Sequence, residues 1–406
     1  MEGSDRRFSV CKVRHRDGTQ SCWIFSPDAE VHRPSLKVLA RYGTSSQQTY
    51  AYSLVDHLNW LHANGRTPKS ITIEDLQRYM NGVTGQTDGV YRVAWRKPDQ
   101  QPLGTSAAGN VATIVKAYYL SLSRSGEASP ALIEELTSAG ALVGAGRSRR
   151  KVEGNPLAPK KGARRPRLLP DQVVEALFRP GVLTTARDIM IVTWLHEGGL
   201  RVGCLCGLRF CGLHLIRHHP CGQREDPHTH VIGRDDNPNG ARAKAYVSTS
   251  VSAEGYVLDG VIRAVSADMI SSFYAYLLDE YRPVQHLVDH EQVLVHAGGR
   301  TPGAALTTAG VRKMLRRASN RAGLSGRVTP HAFRHKAASA FYAASDFNAE
   351  MVAQEFGWAS SEMVTDLYGR STNRHAMNYL EHAWEATARP PTESYLVSTE
   401  QCEDVT

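Results

Sequence analysis

Apolar residues recur along this chain in two rhythms. In residues 7–26, RFSVCKVRHRDGTQSCWIFS, apolar and polar positions alternate on both sides of Asp17-Gly18, the pattern of a β-hairpin closed by a tight turn. From residue 31 to about residue 140 the period is helical. Thr44 or Ser45 can cap a run holding Tyr52, Val55, Leu58 and Leu61, and Asn64-Gly65 ends it. Residues 73–80 make a second, short helix capped by Thr72, and residues 84–103 read as loop. Thr105 or Ser106 opens a long helix through Ile114, Ala117, Tyr118, Leu120 and Leu122, and residues 130–138 form a fourth.

The periodicity then lapses. Residues 146–169, GRSRRKVEGNPLAPKKGARRPRLL, hold nine Lys or Arg and one acid, punctuated by Gly and Pro, and read as a linker. Helices are expected at 170–179 and 184–197. Alternation in HTHVIGR and KAYVSTSV around a DDNPNG turn predicts a hairpin over 228–251. A helix at 266–281, a short strand at 291–296 and a helix from Thr307 or Thr308 to about Arg321 follow. Helical runs fill 331–370, a last helix spans 374–388, and residues 390–406 make a Pro-led, disordered tail. The resulting expectation is a mainly α protein with a small β-sheet. Its parts are an N-terminal hairpin (1–30), a helical domain (31–145), the basic linker (146–169), a second domain (170–389) and the tail.

Composition narrows the function. The chain has 406 residues, 41% hydrophobic, with a formal net charge of +8, which favours a polyanionic partner. In the linker, Arg149, Arg150, Lys151, Lys160, Lys161, Arg164 and Arg165 are candidates to track DNA phosphates, with a steep salt dependence as the consequence; a solvated tether is the competing account. Seven cysteines, an odd number, in a long chain with no leading targeting pattern indicate free thiols in a reducing cytoplasm. No apolar run approaches the length of a membrane span.

Candidate chemistry concentrates near the C-terminus. His331 and Arg334 in HAFRHKAASAFY share a face of a helix begun by Pro330, and Trp358 and Tyr368 follow in EFGWASSEMVTDLYGR. These side chains suit phosphoryl transfer without a metal. An arginine fork answers charge on non-bridging oxygens, a histidine moves a proton near neutral pH, an indole donates without titrating, and a tyrosine oxygen serves as nucleophile. Tyr368 is placed either at a helix end or on a turn.

HxxR, then Gly-Trp about two dozen residues later, then Tyr resembles the C-terminal signature of the tyrosine recombinase (phage integrase) family, with Trp358 where Leu-Gly-His usually supplies histidine. GGLRVGCLCGLRF resembles the family's first box, with Arg201 in the place of its arginine. Arg209 competes for that role, and Cys204 stands where a buttressing Glu is common. The family places a catalytic lysine on a β-hairpin between these boxes, and Lys244 is the candidate; DNPNGARAK is also similar to the integrase-like transposases of the Tn554 type. The resemblance implies a C-shaped DNA clamp built from a helical (SAM-like) core-binding domain and a catalytic domain. It further implies site-specific DNA integration or transposition of a mobile element through a 3′-phosphotyrosine on Tyr368. In that scheme Arg201 and Arg334 hold the phosphate, His331 assists proton transfer, Trp358 packs on the site and Lys244 protonates the leaving oxygen. No cofactor is required for catalysis. Partners would be double-stranded recombination sites, a tetramer on DNA formed from a free monomer, and accessory recombination proteins, in a nucleoid-associated cytoplasmic setting without a membrane. A type IB topoisomerase and a non-catalytic DNA-binding relative are the alternatives.

One stretch falls outside this scheme. Residues 204–230 are dense in thiols and imidazoles, and Cys211, His214, Cys221, His228 and His230 could hold a structural zinc, although their spacing matches no standard finger. Scattered ordinary residues are the other reading.

Overall fold

The structure, a computed structural model, describes residues 7–16, 20–86, 101–138, 154–159, 168–234, 236–243, 251–258, 260–326, 328–358, 360–369 and 380. The chain divides into two compact units, Met1–Ala163 and Arg164–Thr406.

In the first unit, β1 (Ser9–Arg14) and β2 (Gln20–Phe25) pair antiparallel with Ser9 opposite Phe25 and Arg14 opposite Gln20. Helices α1 (Arg33–Leu39), α2 (Thr44–Ala63), α3 (Ile73–Thr84), α4 (Thr105–Ser123) and α5 (Pro130–Thr137) follow. Thr72 caps α3 through a reciprocal box with Asp75. For α2 and α4 the cap is a glycine, Gly43 and Gly104, and the hydroxyl residues expected to cap are the first helical residues instead. The hairpin belongs to this unit's core, since Cys22 and Ile24 bury against Leu54, Leu58, Tyr118 and Tyr119. Leu157, in the stretch read as linker, also joins that core.

His57 lies wholly buried at its centre, 3.0 Å from the Tyr119 hydroxyl, and burial pushes its pKa down to about 3. The unfolded chain therefore binds a proton near pH 6.5 that the folded chain refuses. Stability is complete above that value and is lost as pH falls toward 3, by on the order of 5 kcal/mol in all. Thermal melts followed from about pH 7 to about pH 4 should show a falling Tm, with a shallower slope in His57→Phe. An unchanged slope in the variant would assign the acid sensitivity to other groups.

The second unit opens with α6 (Asp171–Phe178), α7 (Ala186–His196) and α8 (Val202–Cys206). A three-stranded antiparallel sheet follows, in the order β3 (Leu213–His214), β4 (His228–Val231), β5 (Val261–Ala264). Next come α9 (Ala267–Tyr276), a π-helical turn (Leu277–Tyr281), α10 (Arg282–Val284), α11 (Thr308–Arg321), α12 (Pro330–Ala344), α13 (Ala349–Phe356) and α14 (Ser361–Tyr368). A core of Trp194, Ile191, Leu205, Tyr276, Leu294, Val311, Leu315 and Phe333 holds these together, each large side chain contributing about 1.5–3 kcal/mol on burial. Trp194 donates its indole N–H to the Met269 carbonyl at 2.9 Å, which ties α7 to α9.

The strand expectations fare differently. β4 is the central strand of its sheet, paired along His228–Val231 with β5 and at His228 and Thr229 with β3, and the second arm of the expected hairpin, 244–250, lies outside the described residues. The region 291–296 forms isolated bridges only, Arg209 with Gln292 and Val295 with Ala305. The helix expected at 374–388 lies outside the described residues apart from Leu380. Among the described residues no helix is long and apolar enough to cross a membrane.

Candidate active site

The site is assembled at two tight turns. Gly199 and Gly357 both adopt positive φ, +57° and +61°, where side chains other than glycine are strained. A Cβ on Gly199 would stand 2.5 Å from the Phe356 ring. Close approach brings the Gly199 and Phe356 carbonyls onto Arg334, which donates to the first at 3.0 Å and also to the second. Arg201 donates to the Gly357 carbonyl at 3.2 Å. Both guanidinium groups are thus aimed by backbone acceptors, which leaves other N–H groups for a ligand.

Arg334 stands on α12, which Thr329 caps by accepting from the Ala332 N–H and which Pro330 begins. The helix carries His331 and His335 one turn apart, with ring centroids separated by 4.2 Å. His335 Nδ1 lies 2.6 Å from the Tyr368 hydroxyl. Tyr368 is the last residue of α14, the helix-end placement, and is buried. It belongs to a small cluster separate from the main core, made of Ala338, Tyr342, Val352, Phe356 and Val364 with Trp358 against them. Trp358 stacks on Phe356, receives the Arg334 guanidinium 4.7 Å from its ring centre, and lies 5.9 Å from the Tyr368 ring.

A third arginine completes the group. Arg263 on β5 is almost fully buried, sits over the Phe356 ring and donates to the Gly198 carbonyl. Its carboxylate partner is Glu355, at 3.5 Å, which Arg224 shares at 3.4 Å. Burial, then Arg201 and Arg263, push the Arg334 pKa down to about 9. Burial also brings Arg263 down to about 10, against the pull of Glu355. Such crowding of positive charge in a partly dry site is relieved by a bound anion. Burial raises Tyr368 to about 12, opposed by Arg334. Burial, then His331 and Arg334, lowers His335 to about 4, and burial with both Arg334 and Arg201 lowers His331.

The structure therefore brings Arg201, His331, Arg334, Trp358 and Tyr368 together. Arg209, the competitor of Arg201, is committed elsewhere, to Asp236 at 2.9 Å and Glu291 at 3.1 Å. Lys244 lies outside the described residues, as do Arg149, Arg150, Lys151, Lys160, Lys161, Arg164 and Arg165. The segment leading to Lys244 is fixed beside Arg201. Asn239 donates to the Cys206 and Leu306 carbonyls, each at 2.8 Å, and a Cβ on Gly203 would stand 2.4 Å from the Arg242 carbonyl oxygen. His335 and Arg263 are additions to the site. His335 was legible as the i+4 neighbour of His331 on one helical face, whereas Arg263 had no cue beyond an arginine inside an apolar strand.

Taken together, the second unit is a helical domain that builds an anion site around a buried tyrosine hydroxyl. Residues 266–375 match the family model described as "Phage integrase family". The XerH site-specific recombinase, in a post-cleavage complex with a palindromic difH substrate, superposes with TM-score 0.54 and 15% identity over 84% of this chain and 81% of that one. Its pre-cleavage complex with difH gives TM-score 0.51 and 14% identity over 86% and 85%. A lambda integrase (75-356) dimer bound to a COC′ core site gives 0.48 and 13% over 84% and 95%. No curated protein sequence matches the chain. The signature residues converge on one site inside the second unit, all but Arg201 within the stretch that matches that family model, and in a fold shared with the XerH recombinase.

Proposed function

We propose that this recombinase cleaves and rejoins DNA at specific sites through a 3′-phosphotyrosine on Tyr368, integrating or moving a mobile element. The observation that carries this reading is the convergence of three arginines, with one carboxylate among them, beside a tyrosine hydroxyl already bonded to a histidine. In the forward step the Tyr368 oxygen attacks phosphorus, its proton passes to His335 or His331, and the bond from phosphorus to the 5′ oxygen breaks. Lys244 supplies the proton to that leaving oxygen. Arg201 and Arg334 hold the non-bridging oxygens, whose charge grows as the transition state forms. A 5′-hydroxyl of a partner strand reverses the step. Bond energy is conserved in the phosphotyrosine, so the chemistry calls for neither ATP nor a catalytic metal.

Duplex recombination sites are the substrate in this reading. Strand exchange between two sites needs a tetramer on DNA, assembled from monomers with accessory proteins, in a nucleoid-associated cytoplasmic setting. A mobile element of the Tn554 type fits DNPNGARAK. A nicked duplex drawn from the ends of the element encoding the protein tests the scheme, because the short cleaved product diffuses away and a covalent complex accumulates. Relaxation of plasmids lacking any such site would instead favour a type IB topoisomerase, and binding without attachment to any end would favour a non-catalytic relative.

His335 has its own test. Neutral imidazole accepts the Tyr368 proton, so cleavage is lost as pH falls through the histidine's pKa, about 4 in the DNA-free protein. His335→Gln should slow cleavage by about 10²–10⁴-fold. Its rate should climb about tenfold per pH unit, because the tyrosine must then ionise unaided. A normal rate in His335→Gln with a slow His331→Gln would move the base to His331.

A further inference from the structure

We propose that the second unit holds a structural zinc ion, bound by His214, Cys221, His228 and His230. The donor atoms of these four residues all lie within 4.8 Å of one another, and all four residues are buried. Cys211, grouped with them on sequence grounds, is exposed and contributes only its carbonyl oxygen, 3.3 Å from His214 Nε2.

The spacing within the cluster suits a tetrahedron. Zinc bonds of about 2.0 Å to nitrogen and 2.3 Å to sulfur set edges of about 3.3 Å between nitrogens and 3.5 Å between nitrogen and sulfur. His214 Nδ1 stands 3.2 Å from His228 Nε2 and 3.1 Å from Cys221 Sγ, and Cys221 Sγ stands 3.2 Å from His228 Nε2 and 4.0 Å from His230 Nε2.

Proton accounting independently points to a cation. His228 Nδ1 faces the Asp226 carbonyl at 2.7 Å, and a carbonyl only accepts, so Nδ1 carries the proton and Nε2 turns a lone pair inward. By the same logic His214 gives its Nε2 proton to the Cys211 carbonyl and turns the Nδ1 lone pair inward. The two lone pairs confront each other at 3.2 Å, and the single thiol proton of Cys221 can serve one of them. A divalent cation with a deprotonated thiolate satisfies every group. The outer carbonyls then have the place that second-shell acceptors occupy around metal-bound histidines.

Soft sulfur with imidazoles in a closed, buried set selects zinc over magnesium or calcium and leaves no open position for catalysis. The ion would join β3, the loop over residues 215–227 and β4. In register with β4, Thr229 stands opposite Arg263, and Arg224 on the same loop pairs with Glu355. The ion thus braces the strand behind the arginine cluster from outside it.

Tag-free full-length protein, purified without chelator, should contain about one zinc per chain, and Tyr368→Phe should retain it. Cys221→Ser and His228→Gln should each lower zinc content at least tenfold. Zinc X-ray absorption on the wild type should report one sulfur and three nitrogens, a measurement that stands even if the variants do not fold. Cobalt-substituted wild type should show a thiolate-to-metal charge-transfer band that Cys221→Ser lacks. Folded wild type without stoichiometric zinc, or zinc with no sulfur neighbour, would overturn the site and leave a proton-sharing cluster. Strand cleavage is not among these readouts, so failure here leaves the recombinase reading intact.

Discussion

Tyr368→Phe should bind the recombination-site duplex as wild type does and form no covalent complex on a nicked substrate. The substitution removes one oxygen and keeps the ring that packs against Phe356, Val364 and Trp358. The lost contact is the hydrogen bond to His335, half-buried and worth about 1 kcal/mol, so the fold and the arginine cluster persist. The proposed chemistry, by contrast, loses its attacking atom, and the expected effect is complete loss rather than a slower rate. On a denaturing gel the wild type should give a shifted DNA-linked band and the variant none. A retained band would place the nucleophile elsewhere, with Tyr379 the first suspect by position in the sequence.

In the proposed mechanism Tyr368 is held in reserve until DNA arrives. With its pKa at about 12 and that of His335 at about 4, proton transfer between them is steeply uphill in the free protein. After burial, the groups that lower His335 are His331 and Arg334. A phosphodiester seated on Arg334 offsets the cationic part of that effect and raises the histidine toward a useful base. The same phosphate relieves the repulsion among Arg201, Arg263 and Arg334. In the proposed mechanism, nucleophile activation and substrate binding are thereby coupled through one charge cluster.

Helical elements were largely legible because their cues are local. Thr72, Thr307 and Thr329 each cap the helix they precede, and α11 runs over the span its pattern predicts. The sheet was not legible to the same degree. The β4 segment pairs with residues 261–264, some thirty positions away, and nothing in HTHVIGR points to that distant partner. Within the site, the family's motif residues were readable as letters at fixed spacings. Arg263 reaches the site by tertiary pairing of strands, and spacing along the chain carries no trace of that. The metal-ligand set shows the same division. Density of Cys and His singled out residues 204–230, but only packing separates inward-facing Cys221 from exposed Cys211.

Arg201→Ala should lower the rate of strand cleavage by about 10²–10³-fold or more, the scale of losing one preorganised donor to a developing oxyanion. Of the two arginines proposed to clamp the phosphate it is the cleaner to remove. Arg334 is almost fully buried and ties the Gly199 and Phe356 carbonyls together, so its loss strands two acceptors and mixes stability with catalysis. Arg201 is partly exposed and is tied to the fold by the 3.2 Å hydrogen bond it donates to the Gly357 carbonyl. Its removal should shift Tm little and leave Tyr368 bonded to His335. It also withdraws one cation from the neighbourhood of Arg334 and His331, so the pKa of each should rise. The measurements are single-turnover cleavage of the nicked duplex and a thermal melt, made on the same preparation. A large rate loss at unchanged Tm assigns Arg201 to the transition state. Near-normal cleavage would transfer the second clamp to Arg263, the remaining arginine within the same cluster. Arg209→Ala, which breaks the pairs with Asp236 and Glu291 and a hydrogen bond to Asn237, serves as the control and should cleave at close to the wild-type rate.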